Sequence, residues 1–322
     1  MTDKIHLRDI SSLAWEHPSD AAALQTLRQV PGFDLALQKI FGLIAERTLR
    51  LMSLGSSVEV GPAQYPRINQ IYEEVLHTLD APARYPLYLT QSPVVNAGAV
   101  GMKEPFIVLN SGIVQLMSDD QLRYVLGHEL GHILSEHVLY KTMLKLMVSI
   151  SRLAFTNVFT GLAYYAITAA LMEWDRKSEL SSDRAGLLAV QDPDAVRSAL
   201  LRSAGGVGDG ASIEAFQEQA RRYEEEGDSL DAIAKAMALM NRSHPFPVQR
   251  LKEIDRWVES GEYDRILSGE FLTRAEEPPR KQRPWDIWRE SASSYADTLK
   301  ESRLSEWFGG IGSRLRRDRG EE

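Results

Sequence analysis

The chain has 322 residues, of which 43% are hydrophobic and 25% charged, and its formal net charge at pH 7 is −8. These values are ordinary for a globular protein and argue against nucleic acid or an anionic membrane as its main partner. The lack of cysteine excludes disulfides and thiolate metal sites. Residues 1–24 show no secretory signal, so the sequence predicts a cytoplasmic location.

The first 110 residues predict a helical segment followed by a small sheet. Residues 1–60 are typical of helix with a break at Pro31-Gly32, and we predict that they pack on the core. Another helix is predicted from Tyr65 to Leu79. Glycine and proline signals then separate three short predicted strands: Leu87–Thr90, Val94–Val100 and Phe106–Leu109. The pair Asn96-Ala97 fits either an ordinary strand or an edge strand that pairs with an extended peptide.

The next predicted helix, from about Asp119 to Val138, contains the sequence His128-Glu129-Leu130-Gly131-His132. Ser118 and Gln121 form a capping box at its start. Residues four apart lie on one face of a helix, so both imidazoles can reach one Zn²⁺. Glu129 then points at the open position of the metal, where it can take a proton from water. The alternative is a core helix whose histidines only make hydrogen bonds.

A catalytic zinc site requires a third protein ligand. His137 does not fit the spacing of a three-histidine motif and lies on a different face of the predicted helix, which favours a surface or an indirect role. Glu179, on a second predicted helix, is the better candidate. Asp183 follows one turn later on the same face, where it can orient a ligand imidazole. A solvated helix face remains the alternative for both carboxylates.

Residues 153–172 contain no charge and are long enough to cross a membrane. A single crossing would place Glu179 on the opposite side of the bilayer from the histidine pair. A second crossing would have to bury three basic residues in hydrocarbon, namely Lys141, Lys145 and Arg152. We therefore predict no transmembrane span. The sequence favours a helical hairpin over residues 139–172, buried against the core or resting on a membrane surface.

The last part of the chain contains a rigid turn and a tail. Ser243-His244-Pro245 predicts extended backbone, because a residue before proline avoids the helical region. Arg250 follows soon after and could anchor this turn. Residues 274–322 are typical of a linker followed by an amphipathic helical tail with an aromatic stripe. Such a stripe needs a partner; we favour docking on protein, including self-association, while peripheral membrane contact stays open.

Three motifs together resemble the HtpX-like and CAAX-prenyl-protease family of zinc metallopeptidases. They are the histidine motif at 128–132, the E-x-x-x-D pattern at 179–183 and Ser243-His244-Pro245. The likeness covers roughly residues 60 to 270, and Asn96-Ala97 also matches the edge-strand pattern of the family. These enzymes are gluzincins, so the resemblance implies an α+β, mainly helical fold with a small sheet beside the active-site helix. Because no transmembrane span is predicted, the chain resembles the soluble branch of the family.

The resemblance also implies the roles of individual residues. It implies one Zn²⁺ per chain with His128, His132 and Glu179 as ligands, Glu129 as general base and Asp183 holding a ligand in place. In the family the His-Pro turn lies beside the active site, so we expect His244 to contact the oxyanion or the substrate. The residues expected to bind substrate are Asn96, Ala97 and Arg250.

The predicted domain organisation is a helical segment over 1–60, a catalytic domain over 61–273 and a tail over 274–322. The predicted activity is that of a zinc metalloendopeptidase, acting on polypeptide substrates in protein quality control or processing. Two alternatives remain open. The chain could be a non-catalytic chaperone-like or scaffold module that keeps a zinc site, or a processing protease at a membrane surface.

Overall fold

The computed structural model describes residues 4–30, 32–33, 46–149, 161–208, 210–225 and 246–277. Its described part contains a small sheet with strands β1 (Val58–Glu59), β2 (Leu87–Thr90), β3 (Ala97–Val100) and β4 (Phe106–Asn110). The strand order is β1-β2-β4-β3. Strand β4 pairs parallel with β2 and antiparallel with β3, while β1 pairs antiparallel with β2. Strand β3 is therefore an edge strand.

Helices make up most of the described structure, which confirms the predicted mainly helical α+β fold. They are α1 (Pro18–Arg28), α2 (Glu46–Ser56), α3 (Pro66–Thr78), α4 (Ser111–Leu116), α5 (Asp119–Leu134), α6 (Val138–Ser149), α7 (Gly161–Val190), α8 (Pro193–Ser203), α9 (Ile213–Glu225), α10 (Pro247–Glu259) and α11 (Glu262–Leu267).

Small residues let α5 and α7 pack closely side by side. A Cβ atom added to Gly131 would lie 2.6 Å from the Cβ of Ala185, and one added to Gly127 would lie 2.3 Å from the Cβ of Ala189. Only hydrogen fits in these gaps, because ordinary carbon–carbon contact requires about 3.5–4.0 Å. The close approach brings the carboxylates of α7 within reach of the histidines of α5.

Two hydrophobic clusters hold the described elements together. The larger one joins the sheet to α3, α5, α7, α8 and α10. The smaller one lies between α1, α6 and the first half of α7, and its buried members are Leu27, Phe33, Leu139, Tyr140, Met143, Leu144, Met147, Ile167, Leu171 and Trp174. Within the described ranges, no helix combines the length and the apolar character that a membrane crossing requires.

Several element boundaries differ from the sequence prediction. The helix predicted to reach Val138 ends at Leu134, because Glu136 takes a left-handed conformation with φ 61° and the chain turns before α6. Helix α7 continues past residue 172, since no glycine or proline interrupts residues 162–185. Strand β3 begins only at Ala97, after a bend that follows Pro93. The tail predicted beyond Glu277 lies outside the described residues.

Candidate active site

The predicted capping box starts α5 at a defined residue. The Ser118 hydroxyl accepts a hydrogen bond from the Gln121 N–H at 3.4 Å, and the Gln121 side chain accepts one from the Ser118 N–H at 2.9 Å. These bonds satisfy backbone donors that the first turn leaves without partners. Three turns later, His128 and His132 lie on the face of the helix that contacts α7, and both are buried.

Three side chains meet between α5 and α7. The Nε2 of His132 lies 3.1 Å from Glu179 Oε1, and the Nε2 of His128 lies 3.4 Å from Glu179 Oε2. One potential ligand atom from each residue lies within 4.8 Å of the other two, and Glu179 is fully buried. The structure thus brings together the three residues predicted as ligands.

Each of the two imidazoles is held through its other nitrogen. His128 Nδ1 lies 2.9 Å from Asp183 Oδ1, while His132 Nδ1 lies 2.8 Å from Ser182 Oγ and 3.1 Å from His137 Nδ1. A histidine that binds a metal through one nitrogen is oriented by the hydrogen bond of the other. Both rings therefore turn Nε2 toward Glu179.

Asp183 is at the centre of a buried ionic network. Arg250 donates to it through Nε at 2.8 Å and through Nη2 at 2.5 Å, and the Tyr124 hydroxyl donates at 2.7 Å. Burial would raise the pKa of Asp183, but Arg250 and His128 outweigh it and lower the pKa to about 2. Burial would lower the pKa of His128, yet Glu179 and Asp183 raise it to about 9. Asp183 is therefore a charged acceptor that fixes the His128 ring.

Lys141 also belongs to this site, although the sequence indicated only that its charge opposes membrane insertion. Its ammonium donates to Glu179 Oε1 and to Asp175 Oδ1, each at 2.6 Å. Burial would lower the pKa of Lys141, but the two carboxylates raise it above its ordinary value. The sequence contained one signal for this role. Lys141 lies among the apolar residues of α6, and a lysine that is buried there needs an oppositely charged partner.

Glu129 connects the histidine helix to the edge strand. Its Oε2 accepts a hydrogen bond of 2.7 Å from the Ala99 N–H, and the side chain is buried. Asn96 is exposed, and its carbonyl accepts from the Asn110 N–H on β4. Because strand residues alternate, Ala97 and Ala99 direct their backbone groups away from β4, toward the open side of the sheet.

Helix α6 lies along part of that open side. Lys145 donates to the Ala99 carbonyl at 3.3 Å. The Thr142 hydroxyl accepts from the Gly101 N–H at 3.1 Å and donates to the Gly101 carbonyl at 3.0 Å. The edge near Ala99 and Gly101 is therefore already hydrogen-bonded within the chain.

The remaining predicted site residues have different outcomes. Arg250 contacts Asp183 and Tyr124, and its role in substrate binding stays a prediction, as do the substrate roles of Asn96 and Ala97. His244 lies outside the described residues, so its role also stays a prediction. His137, for which a surface role had been one prediction, is buried against His132.

Comparisons with known proteins identify relatives of the chain. The model of "Peptidase family M48" matches residues 62–258. The chain is 34% identical over 267 residues to "Plastoglobule-localized metallopeptidase 48, chloroplastic" of Arabidopsis thaliana, a match that covers 81% of this chain and 76% of that protein.

More distant similarity is found to bacterial proteins. A "Protease HtpX homolog" of Bifidobacterium longum is 29% identical over 181 residues, which cover 47% of this chain and 58% of that protein. One of Ralstonia nicotianae is 27% identical over 172 residues, which cover 47% and 60%. The match thus spans less than two thirds of each of these two bacterial proteins. No solved structure matches the chain significantly.

Proposed function

This chain belongs to peptidase family M48 and is a metallopeptidase, and we propose that it hydrolyses internal peptide bonds with one zinc ion per chain. The proposed ligands are His128, His132 and Glu179. The observation that carries the proposal is the convergence of two imidazole nitrogens and one carboxylate in a buried site.

The donor set fits a catalytic zinc ion. Two histidines and one glutamate are a known ligand set of catalytic zinc, which keeps a fourth position open. Ligand atoms bonded to zinc at about 2.0–2.1 Å in a tetrahedron are about 3.3 Å apart. The imidazole nitrogens lie 3.1 Å from Oε1 and 3.4 Å from Oε2 of Glu179, and one ligand atom from each of the three residues lies within 4.8 Å of the others, so the three side chains can converge on one ion. When bound, zinc supplies Lewis acidity that polarises the scissile carbonyl and lowers the pKa of an activated water to about 7.

Glu129 is the proposed general base. The Ala99 N–H holds its Oε2, so we assign proton transfer to the other oxygen, Oε1. In this assignment Oε1 accepts the proton of the attacking water and then delivers it to the leaving amine. The hydrogen bond to the edge strand fixes the carboxylate beside the backbone that would hold the substrate.

Substrate binding is assigned to the edge strand and the His-Pro turn. An extended peptide would pair with the outward backbone groups at Ala97, with Asn96 beside it. His244 would contribute a hydrogen bond to the developing oxyanion. Arg250 supports the site by holding Asp183. We also assign it a contact with substrate, because it follows the His-Pro turn closely in the sequence.

Two substitutions test the assignment, because they separate metal binding from proton transfer. Glu129→Gln should retain zinc but lower kcat for casein or a peptide library by about 10²–10⁴-fold. Glu179→Ala should lose both zinc and cleavage, and a chelator should inactivate the wild type. Glu218→Gln, an exposed change on α9, is the matched control.

Circular dichroism should show that each of these variants is folded. Normal zinc content in Glu179→Ala would refute the ligand set, and normal turnover by Glu129→Gln would refute the base. Zinc binding by the wild type without any turnover would instead favour the scaffold alternative.

We place the protein in protein quality control or processing, in the cytoplasm. One observation keeps the membrane-surface alternative open, because the name of the Arabidopsis relative locates that protein at plastoglobules. Cell fractionation and vesicle flotation, with and without residues 285–322, distinguish the two. Flotation that depends on this tail would support a peripheral membrane protease.

A further inference from the structure

The second ring nitrogen of His132 has two polar neighbours. This nitrogen, Nδ1, faces Ser182 on α7 and His137, which directly precedes α6. The left-handed turn at Glu136 reverses the chain, so that the His137 N–H donates to the His132 carbonyl at 2.9 Å and the two rings meet. The two ring centroids are 5.4 Å apart.

Helix α1 contributes a carboxylate to the far side of His137. The Nε2 of His137 lies 3.0 Å from Asp20 Oδ2, and Ser181 donates to the same oxygen at 2.6 Å. Asp20 is 1% exposed and His137 is 3% exposed. Burial would raise the pKa of Asp20, but His137 and its other hydrogen-bond donors lower it below the usual value, so it is ionised at neutral pH.

When His132 binds a metal ion through Nε2, its own proton is on Nδ1, and these contacts then leave one arrangement of the other ring protons. An ionised carboxylate only accepts, so Asp20 requires a proton on the His137 Nε2 that faces it. The Nδ1 of His137 is then the acceptor for the proton on His132 Nδ1. His132 Nε2 is left with the lone pair that a metal ion needs.

We propose that Asp20 is a positioning residue that acts through His137 to fix the tautomer and orientation of His132. This rests on the proposed function, because it assumes that His132 binds the metal. Asp20 precedes residues 62–258, which match the family model, so a segment outside that match completes the metal site of this chain.

The arrangement makes Asp20→Asn an informative change. An amide has nearly the shape of a carboxylate but can donate a hydrogen bond as well as accept one. Asn at position 20 would permit the opposite tautomer of His137, which would direct a proton at His132 Nδ1. Loss of such an outer partner typically lowers metal affinity by about 10–100-fold.

The matched control is Asp80→Asn. Asp80 also binds the N-terminal segment, since it accepts hydrogen bonds from the Asp9 N–H at 2.7 Å and from His6 at 3.0 Å, but it makes no hydrogen bond to His132 or His137. It therefore reports the effect of loosening this segment without disturbing the proton arrangement. We expect zinc affinity unchanged in this variant.

The experiment is zinc competition against a chromophoric chelator for the wild type, Asp20→Asn, His137→Asn and the double variant. We expect Asp20→Asn to bind zinc about 10–100-fold more weakly. In the His137→Asn background the same change should have no further effect, because the link to His132 is already broken. Ring ¹⁵N correlation spectra of the zinc-loaded wild type should show the proton of His137 on Nε2.

Each outcome supports or overturns the inference. Wild-type affinity in Asp20→Asn, an equal loss in Asp80→Asn, an undiminished effect in the His137→Asn background, or a His137 proton on Nδ1 would each overturn it. If Asp20→Asn fails to fold, His137→Asn and the spectra still decide. Failure of the wild type to bind zinc, or retention of zinc by Glu179→Ala, would instead refute the proposed function.

Discussion

Gly131 lies between the two proposed histidine ligands of α5 and faces Ala185 on α7. Replacing it with alanine places a methyl carbon 2.6 Å from the Cβ of Ala185, about 1 Å inside ordinary contact. The next nearest atom, Ser182 Cα, lies at 3.4 Å and tolerates the methyl group. The clash is therefore with one side-chain carbon, and the two helices must separate to relieve it.

The cost can be divided into stability and metal binding. Alanine gains about 1 kcal/mol of helix propensity over glycine, while overpacking typically costs about 1–3 kcal/mol, so the net loss of stability is about 1 kcal/mol. Metal binding is more sensitive, because ligand distances must stay within about 0.2 Å. We expect Gly131→Ala to bind zinc at least about tenfold more weakly, which corresponds to about 1.4 kcal/mol. Chelator competition and urea unfolding measure the two terms.

A compensating change makes the test specific. Ala185→Gly removes the clashing carbon, so adding Gly131→Ala in that background should leave zinc affinity unchanged. Gly55→Ala on α2 is the control for helix propensity, because no heavy atom lies within 4 Å of the added carbon. It should raise stability by up to about 1 kcal/mol and leave zinc affinity unaltered. Wild-type zinc affinity in Gly131→Ala, or an equal loss in the Ala185→Gly background, would refute the reasoning.

Three other predictions concern stability. The folded-state pKa of Asp183 is about 2, below 3.8, so its contribution to unfolding free energy is present above about pH 4 and lost as the pH falls toward 2. At about 1.4 kcal/mol per pKa unit, this contribution is about 2 kcal/mol. In urea unfolding of the metal-free protein, the wild type should lose this unfolding free energy between about pH 4 and about pH 2, whereas Asp183→Asn should not show that loss. Thr142→Val leaves the buried N–H and carbonyl of Gly101 without the hydroxyl, and should lower the unfolding free energy by about 2 kcal/mol in the same assay. Free zinc at 100 times its Kd should stabilise the wild type by about 2.7 kcal/mol, a gain that calorimetry should not detect in Glu179→Ala.

Local patterns in the sequence predicted the histidine helix well. The capping box fixes where α5 begins, and a spacing of four residues sets His128 and His132 on one face wherever the helix packs. Glu179 was harder to predict, because its role depends on how a second helix lies against the first. The family resemblance provided that information. The small residues Ala185 and Gly186 indicate that the second helix can approach a neighbour closely, but they do not identify that neighbour.

The sequence left a surface and an indirect role open for His137, and the burial of this residue against His132 contradicts the surface role. The sequence predicts a helix that continues to Val138, and on a continuous helix His137 faces away from the pair. In the structure the left-handed conformation of Glu136 ends the helix and returns His137 to His132. Such a conformation is uncommon outside glycine, so a sequence pattern of helix formers gave no signal for it.

The family match begins at residue 62, yet the N-terminal segment is bound to the catalytic helices by polar contacts. Trp15 donates to the Ser135 hydroxyl at the end of α5, and the His17 N–H donates to the Ser181 hydroxyl on α7. These bonds fix where α1 starts, and thereby place Asp20 within 3.0 Å of His137. The segment before the predicted boundary at residue 60 is therefore hydrogen-bonded to helices that follow it. Changes to the contacts around Asp20 should therefore weaken zinc binding, whereas Asp80→Asn, which loosens the segment elsewhere, should not.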